Sequence, residues 1–269
     1  MKRRKIYGLL LYSLLALSLN ATTIDLGSAS SYSVLAGSTV TNTGPTVVWG
    51  DLGVSQGTAI TGFPPGIVNG TQHAGDASAL AAQTDANTAF YSMGGFAPTL
   101  NLTGQDLGGM TLLPGVYRFD SSAQLTGTLT LNLLGNLDSL FIFQIGSTLT
   151  TASDSSVAAI NGVGGPTCCN VFWQVGSSAT LGTDTDFLGN ILTLTSITLN
   201  TGANISEGRA LALNGAVTLN TNNISDAACG SVAPAAVPEP GTLLLLGAGL
   251  FGLILLGRRS RSRAETANT

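Results

Sequence analysis

The chain has 269 residues, 44% of them hydrophobic and 9% charged, with a formal net charge of −4. The charges are segregated: Lys2 to Lys5 form a basic start, Arg258, Arg259, Arg261 and Arg263 a basic end, and between Thr22 and Val237 only Arg118 and Arg209 stand against twelve acids. A lysine-free acidic body excludes the basic patch that nucleic-acid binding needs, the single His73 argues against a histidine-dependent hydrolase or a multi-histidine metal site, and the apolar, charge-poor composition is not that of a disordered chain. Residues 1–21 read as a secretory signal: a basic start, the apolar run Ile6–Leu19, then small residues near Ala21. One domain with a full core is expected over residues 22–230.

That domain opens with short strand-and-turn patterns rich in Thr and Gly, as far as Gly70. Residues 76–93 then read as a helix, Ala-rich and free of Pro, stopped by Gly94-Gly95. Its expected buried stripe is Ala77, Leu80, Ala81, Thr84, Thr88 and Tyr91, with Gln83 and Asp85 on the polar side. His73, just ahead of it, is expected to cap or pack rather than to bind a ligand.

Beyond the helix the pattern repeats. Tyr117-Arg118-Phe119, Phe143-Gln144-Ile145, Trp173-Gln174-Val175, Leu192-Thr193-Leu194 and Leu211-Ala212-Leu213 have the period of half-buried strands. Each is followed by a second strand carrying a Thr-Leu pair: Thr128-Leu129, Thr148-Leu149, Thr180-Leu181, Thr198-Leu199 and Thr218-Leu219. The pairs lie 20, 32, 18 and 20 residues apart, the long step holding a loop over Asn161–Asn170. Coils of nearly one length, stacked in parallel, make a mainly β fold, a β-solenoid interrupted by one long helix. Leu129, Leu149, Leu181, Leu199 and Leu219 are expected inside as one ladder, and Phe119, Ile145, Val175, Leu194 and Leu213 as another.

The matching outer ladder is Thr128, Thr148, Thr180, Thr198 and Thr218, flanked by Thr130, Thr150, Gly182, Asn200 and Asn220. Stiff threonines, each with a methyl and a hydroxyl, repeated at the ~4.7–4.9 Å strand spacing, make a flat surface suited to holding water in an ice-like lattice. Asp184 and Asp186 read as solvated carboxylates rather than a calcium or acid–base pair. Trp173 and Tyr117 fall on core ladders. A solenoid polysaccharide lyase would need a clustered base and a charge-neutralising site, and neither is found, so no catalytic residue, metal or cofactor is expected. Cys168, Cys169 and Cys229 allow one bridge, from Cys168 or Cys169 to Cys229, with Cys169–Cys229 carried forward as the candidate.

The C-terminus carries Pro238-Glu239-Pro240, the Leu-rich run Gly241–Gly257 and then Arg258-Arg259. About 17 apolar residues barely span a bilayer at ~1.5 Å each. The three parts in order resemble the PEP-CTERM sorting signal, with residues 231–240 as linker and 241–263 as apolar segment and arginine cluster. That resemblance implies a transient membrane anchor, cleavage by an exosortase-type membrane protease, and release to the cell envelope or outside.

Gly50–Ser55, His73–Ala77, Leu113–Tyr117, Phe141–Ser147 and Asn170–Thr180 resemble, in order, segments of the ice-binding-like secreted β-solenoid family of microbes. The resemblance covers about Ile24 to Ser225. It implies a right-handed, three-faced, discontinuous solenoid with the helix alongside, and one flat face that binds ice. Some members carry Thr-Ala/Gly-X-Thr/Asn on that face. Thr43–Thr46, Thr58–Thr61 and Thr201–Asn204 fit, which adds Thr201 and Asn204 to the candidates, whereas Thr151–Asp154 and Thr183–Asp186 depart and are expected to bring charge near the face. The expected partner is the ice crystal surface; the competing reading is a structural or adhesive component bound to an extracellular polysaccharide matrix.

Overall fold

The computed structural model describes residues 24–136, 138–162 and 170–226. The signal segment, the three cysteines and everything from the linker onward lie outside the described residues. Among the described residues no helix is long and apolar enough to cross a membrane.

Three parallel sheets of nine, seven and eight strands wrap one apolar interior. Each complete coil contributes a strand to each sheet, with turns between, and the end coils contribute to only some of them. The stacking order differs from the chain order. Tyr32–Ala36 pairs with Ala210–Ala212, Thr39–Thr43 with Val217–Asn220, and Val47–Val48 with Asn223–Ser225. The N-terminal coils therefore continue the stack beyond the C-terminal one, and the chain re-enters the opposite end at Leu100–Asn101. A single helix, α1 (Ala77–Met93), carries the chain back. At ~1.5 Å per residue it covers about five coil spacings of ~4.8 Å.

Inside, the ladder Tyr117, Phe143, Trp173, Ile191, Ala210, Val34 and Leu52 runs the length of the first sheet. Its aromatic part stacks, with ring centroids 5.4 Å apart from Tyr117 to Phe143 and 3.9 Å from Phe143 to Trp173. The parallel ladder is Phe119, Ile145, Val175, Thr193 and Ala212. Leu194 and Leu213, expected in that row, are displaced by one residue and pack outward in the second cluster, under the helix. The slip has a physical cause: Leu192, Thr193, Leu211 and Ala212 are buried on both faces of the sheet, so alternation disappears there.

The Leu ladder is also corrected in part. Leu181 does pair with Leu199, but Leu149 lies opposite Ala179, and Leu129 belongs to another sheet, opposite Val157. All five leucines are nonetheless buried.

The expected helix span holds within a residue, and its expected face is reversed. Ala79, Ala82, Gln83, Ala86, Ala89, Phe90 and Met93 are buried, whereas Leu80 is 57% and Tyr91 64% exposed. Alanines on both sides leave little amphipathic contrast in the sequence, and small residues let the helix approach the sheet closely. Three glutamines join the layers. Gln144 Nε2 donates to the carbonyls of Met93 (2.8 Å) and Phe96 (2.9 Å), and Gln174 Nε2 to that of Phe90 (2.8 Å), satisfying carbonyls at the helix C-terminus. Gln83 Nε2 reaches back to the Ala212 carbonyl at 3.0 Å. At the other end Asp76 caps the helix, accepting from the Ala79 amide at 2.9 Å, while His73 Nδ1 lies 2.7 Å from its second oxygen. His73 also packs on the Tyr32 ring.

Where the first and last coils meet, Arg209 is 3% exposed. Its guanidinium donates to the Ser30 carbonyl (2.6 Å) and to Asn190 Oδ1 (2.9 Å), with Asp226 at 3.4 Å. The seam is thereby fixed by a charged group with partners on three segments.

Ala86→Leu should destabilise the protein by ~1–3 kcal/mol through overpacking, while Leu80→Ala changes little; thermal unfolding of the two variants separates the observed helix face from the one expected from sequence. A pH titration of stability gives a second test. The carboxyl of Asp85 is held below its usual 3.8 by the hydroxyl and amide of Ser28, and that of Asp76 by the Ala79 amide and His73. Because both folded values are lowered, their contribution is complete above pH 3.8 and is lost as pH falls through the lowered values. Stability followed from pH 7 to pH 2 should fall mainly below about 4, and less steeply in Asp85→Asn.

Candidate functional site

The second sheet is built from Ala123–Leu125, Leu149–Thr151, Ala179–Leu181, Ile197–Leu199, Val217–Asn220, Thr39–Thr43 and Ala59–Thr61, in that spatial order. In each strand an apolar side chain points in and the next residue points out. The outward residues in register are Gln124, Thr150, Thr180, Thr198, Thr218, Thr41 and Thr61. Six consecutive rungs are threonine. On one side runs a second column, with Ser122, Thr148, Ser178, Ser196, Ala216, Thr39 and Ala59 two residues earlier in each coil, five of them just ahead of the strand. On the other side are Ala152, Gly182, Asn200, Asn220 and Thr43. No residue of these columns is charged.

The face is held from beneath and from its margins. Leu149, Ala179, Ile197, Val217 and Val40 are buried below it, which fixes the height of each rung. In the flanking column Thr148 Oγ1 donates to Ser122 Oγ at 2.9 Å, and Ser178 Oγ lies 2.6 Å from Thr195 Oγ1. Among the described residues, the hydroxyls of Thr150, Thr180 and Thr198 take no protein partner and are left to water. At the other margin the chain turns into the third sheet over buried polar side chains. Thr151 and Thr185 share a hydrogen bond of 2.8 Å, and Thr151 Oγ1 accepts from the Gly182 amide at 2.8 Å. Asn222 donates to the carbonyls of Asn200 and Ala203, and Asn42 to those of Gly44 and Gly62. Gly182 is required there, since a Cβ would lie 2.6 Å from the Ala152 backbone.

Several sequence candidates move. Thr180, Thr198 and Thr218 lie in the central column as expected. Thr148 is one column aside and Thr150 takes its rung. Thr128 and Thr130 are not on this face at all: they pair with Ser156 and Ala158 in the third sheet, where Thr128 Oγ1 bonds Ser156 Oγ at 2.8 Å. Asn200 and Asn220 line the margin. Thr201 sits in the turn beyond it, accepting from Asn220 Nδ2, and Asn204 is on the third sheet beside Asp186. The tetrapeptide matches thus form no common row: Thr61 stands in the central column and Thr43 at the margin, while Thr201–Asn204 turns away to the third sheet. The carboxylates expected near the face lie outside its columns, two of them in the turns that follow the margin residues Ala152 and Gly182. Asp154 and Asp184 occupy left-handed turn positions (φ 57° and 54°), and Asp186 belongs to the third sheet.

Thr41 was missed, and Thr61 was named only within the Thr58–Thr61 tetrapeptide, because the chain order hides their place in the stack. The signal that finds them is a β-branched apolar residue directly before the threonine: Val40-Thr41 and Ile60-Thr61, like Ile197-Thr198 and Val217-Thr218. Among the described residues no three potential metal ligands cluster.

Thr151→Val should cost ~1–3 kcal/mol, since it strands the Gly182 amide and the Thr185 hydroxyl without a partner of equal quality; chemical denaturation measures this.

Residues 34–225 match the model of the family described as ice-binding-like, and residues 236–261 the PEP-CTERM protein-sorting motif. An ice-binding protein of Nostoc sp. (strain HG1) is 58% identical over 236 residues, covering 87% of this chain and 86% of that one. Ice-binding protein 1 of Shewanella frigidimarina is 34% identical over 245 residues, 79% of this chain and 27% of that longer protein. Among solved structures, an ice-binding protein from an Antarctic biological consortium has a TM-score of 0.71 at 47% identity, with 76% of this chain and 90% of that chain covered. One from the Antarctic ascomycete Antarctomyces psychrotrophicus has a TM-score of 0.71 at 43% identity, covering 76% and 98%.

Proposed function

The chain belongs to the ice-binding-like family, and from that premise we propose that it is an exported ice-binding protein whose threonine sheet is the surface that meets the crystal. The observation that carries this reading is the central column, six threonines in unbroken register from Thr150 to Thr61. Binding ice from water requires a surface on which water is already arranged. A hydroxyl anchors one water, the adjacent methyl leaves its neighbours to bond one another, and the coil spacing repeats the unit. Because the backbone ladder fixes every rung, ordering these side chains on binding costs little further entropy. The absence of charge from the columns suits a neutral crystal. No chemical step is assigned to the protein.

The ends of the chain supply the address. Residues 1–21 act as the export signal. The PEP-CTERM segment holds the protein at the membrane through its apolar run until an exosortase-type protease cuts near Pro238-Glu239-Pro240, with Arg258 and Arg259 marking the cytoplasmic side. The mature protein is then the solenoid, residues 22–230, with the linker residues that precede the cut, at the envelope or beyond.

Thr198→Tyr, at the middle of the central column, should abolish ice affinity and recrystallisation inhibition while leaving the fold intact. Thr128→Tyr, on the third sheet, should keep both. Purified residues 22–230 serve for these assays. A folded wild type without any effect on ice would overturn the reading, and an inactive Thr128→Tyr beside an active Thr198→Tyr would move the site to the third sheet.

A further inference from the structure

Trp49 belongs neither to the core nor to the threonine sheet. It directly follows Val48, which is buried and paired with Ile224, so alternation turns the indole outward from the third sheet. The side chain is 51% exposed, yet it is not free to swing. Its Nε1 donates to Asn223 Oδ1 at 2.7 Å, on the neighbouring coil, and this draws the ring across the sheet. With the only polar atom of the indole already satisfied, what remains on offer is its apolar face, held in one orientation.

The surroundings complete a surface. Ile67, 55% exposed, sits on the next coil, paired with Val47. On the other side a polar row continues through Asn223, Asn204 and Asp186. Asn204 Oδ1 accepts from the Asn223 amide at 2.9 Å, and Asp186 pairs in register with Asn204. An apolar platform thus passes directly into a row of carboxamides. Cations are missing: among the described residues Arg118 is engaged by Asp120 and Arg209 is buried at the seam.

Each property narrows the partner. An aromatic face beside hydrogen-bonding side chains fits a pyranose ring, which presents C–H groups on its faces and hydroxyls at its rim. The lack of a base and the presence of Asp186 disfavour an anionic chain. A second copy of the protein is also disfavoured. A whole tryptophan side chain buries ~150–250 Å², and Trp49 and Ile67 are each only about half exposed, well under the ~800 Å² per partner of a stable interface. We propose that Trp49 is the centre of a second binding surface, on the third sheet, that takes a neutral polysaccharide. The proposal rests on the export reading, because such a chain is met outside the cell, and it is independent of ice binding. With both surfaces occupied, the protein tethers ice on one face to glycan on another.

The chain has two tryptophans, and Trp173 is fully buried between aromatic neighbours, so a change in emission on adding a polysaccharide reports on Trp49. The mature protein is titrated with a soluble neutral β-glucan and a neutral galactomannan, with polygalacturonate as the anionic comparator. Retardation in gels containing each polymer is measured in parallel. Binding of at least one neutral polymer, with an emission shift, is expected. Trp49→Ala should weaken it by about tenfold or more, which corresponds to ~1.4 kcal/mol. Trp49→Phe should retain part of the affinity, and ice recrystallisation inhibition should be unchanged in both variants. No emission change with either neutral polymer, equal retardation of Trp49→Ala, or preferential retention by polygalacturonate would each overturn the proposal. So would concentration-dependent association in sedimentation that Trp49→Ala abolishes, since that assigns the surface to a second copy. Loss of ice activity in the wild type with glycan binding intact would count against the ice reading alone.

Discussion

Everything in this molecule follows from the hydrogen-bonded stacking of one coil on the next. The spacing of ~4.8 Å is a property of peptide groups, not of side chains, so whatever a strand presents outward is repeated at an interval the sequence does not need to encode. The interior must then be filled rung by rung with residues that match across coils. Large aromatics at Tyr117, Phe143 and Trp173 give way to Ile191 and Ala210, and the change of volume is gradual enough for the ladder to stay in register.

Three sheets share this interior and differ only in what they turn outward. The first shows glutamine and leucine to α1, and the glutamines close the helix C-terminus. The second turns out threonine, serine and asparagine, with the buried Thr151–Thr185 pair and Asn222 holding the turn at its margin. The third is uneven, with Trp49, Ile67 and Asp186 along its length. A regular backbone therefore supports one covered face, one flat polar face and one mixed face, and the distinction lies in alternate residues of the same short strands.

That alternation explains what the sequence discloses. The solenoid, its single long helix and its discontinuity are legible, because strand periodicity and an Ala-rich run between Gly-rich segments are local signals. The register between coils is not local. Thr128-Leu129 and Thr148-Leu149 look equivalent to Thr198-Leu199, but turns of different length bring the first to another sheet and shift the second by two residues. Leu194 and Leu213 mislead for another reason: a strand buried on both sides has no polar phase to read. For the helix, a face of alanines carries less apolar signal than Leu80 and Tyr91, which point to water. Three of the five threonines expected in the central column were found there; Thr150 was expected one place aside, Thr61 was named only within its tetrapeptide, and Thr41 is recognised through the residue that precedes it.

The coil that completes the stack is made first. Thr41 extends the threonine column only by pairing with Thr218, and Ser30 meets Arg209, a partner synthesised some 180 residues later, so the N-terminal strands must wait for nearly the whole domain. Premature termination anywhere before residue 209 therefore leaves exposed strand edges and a shortened, divided column, rather than a smaller working face. Closure of the seam doubles as a check on synthesis of the domain: the surface becomes continuous only once the strands as far as Asn223–Ser225 have been made.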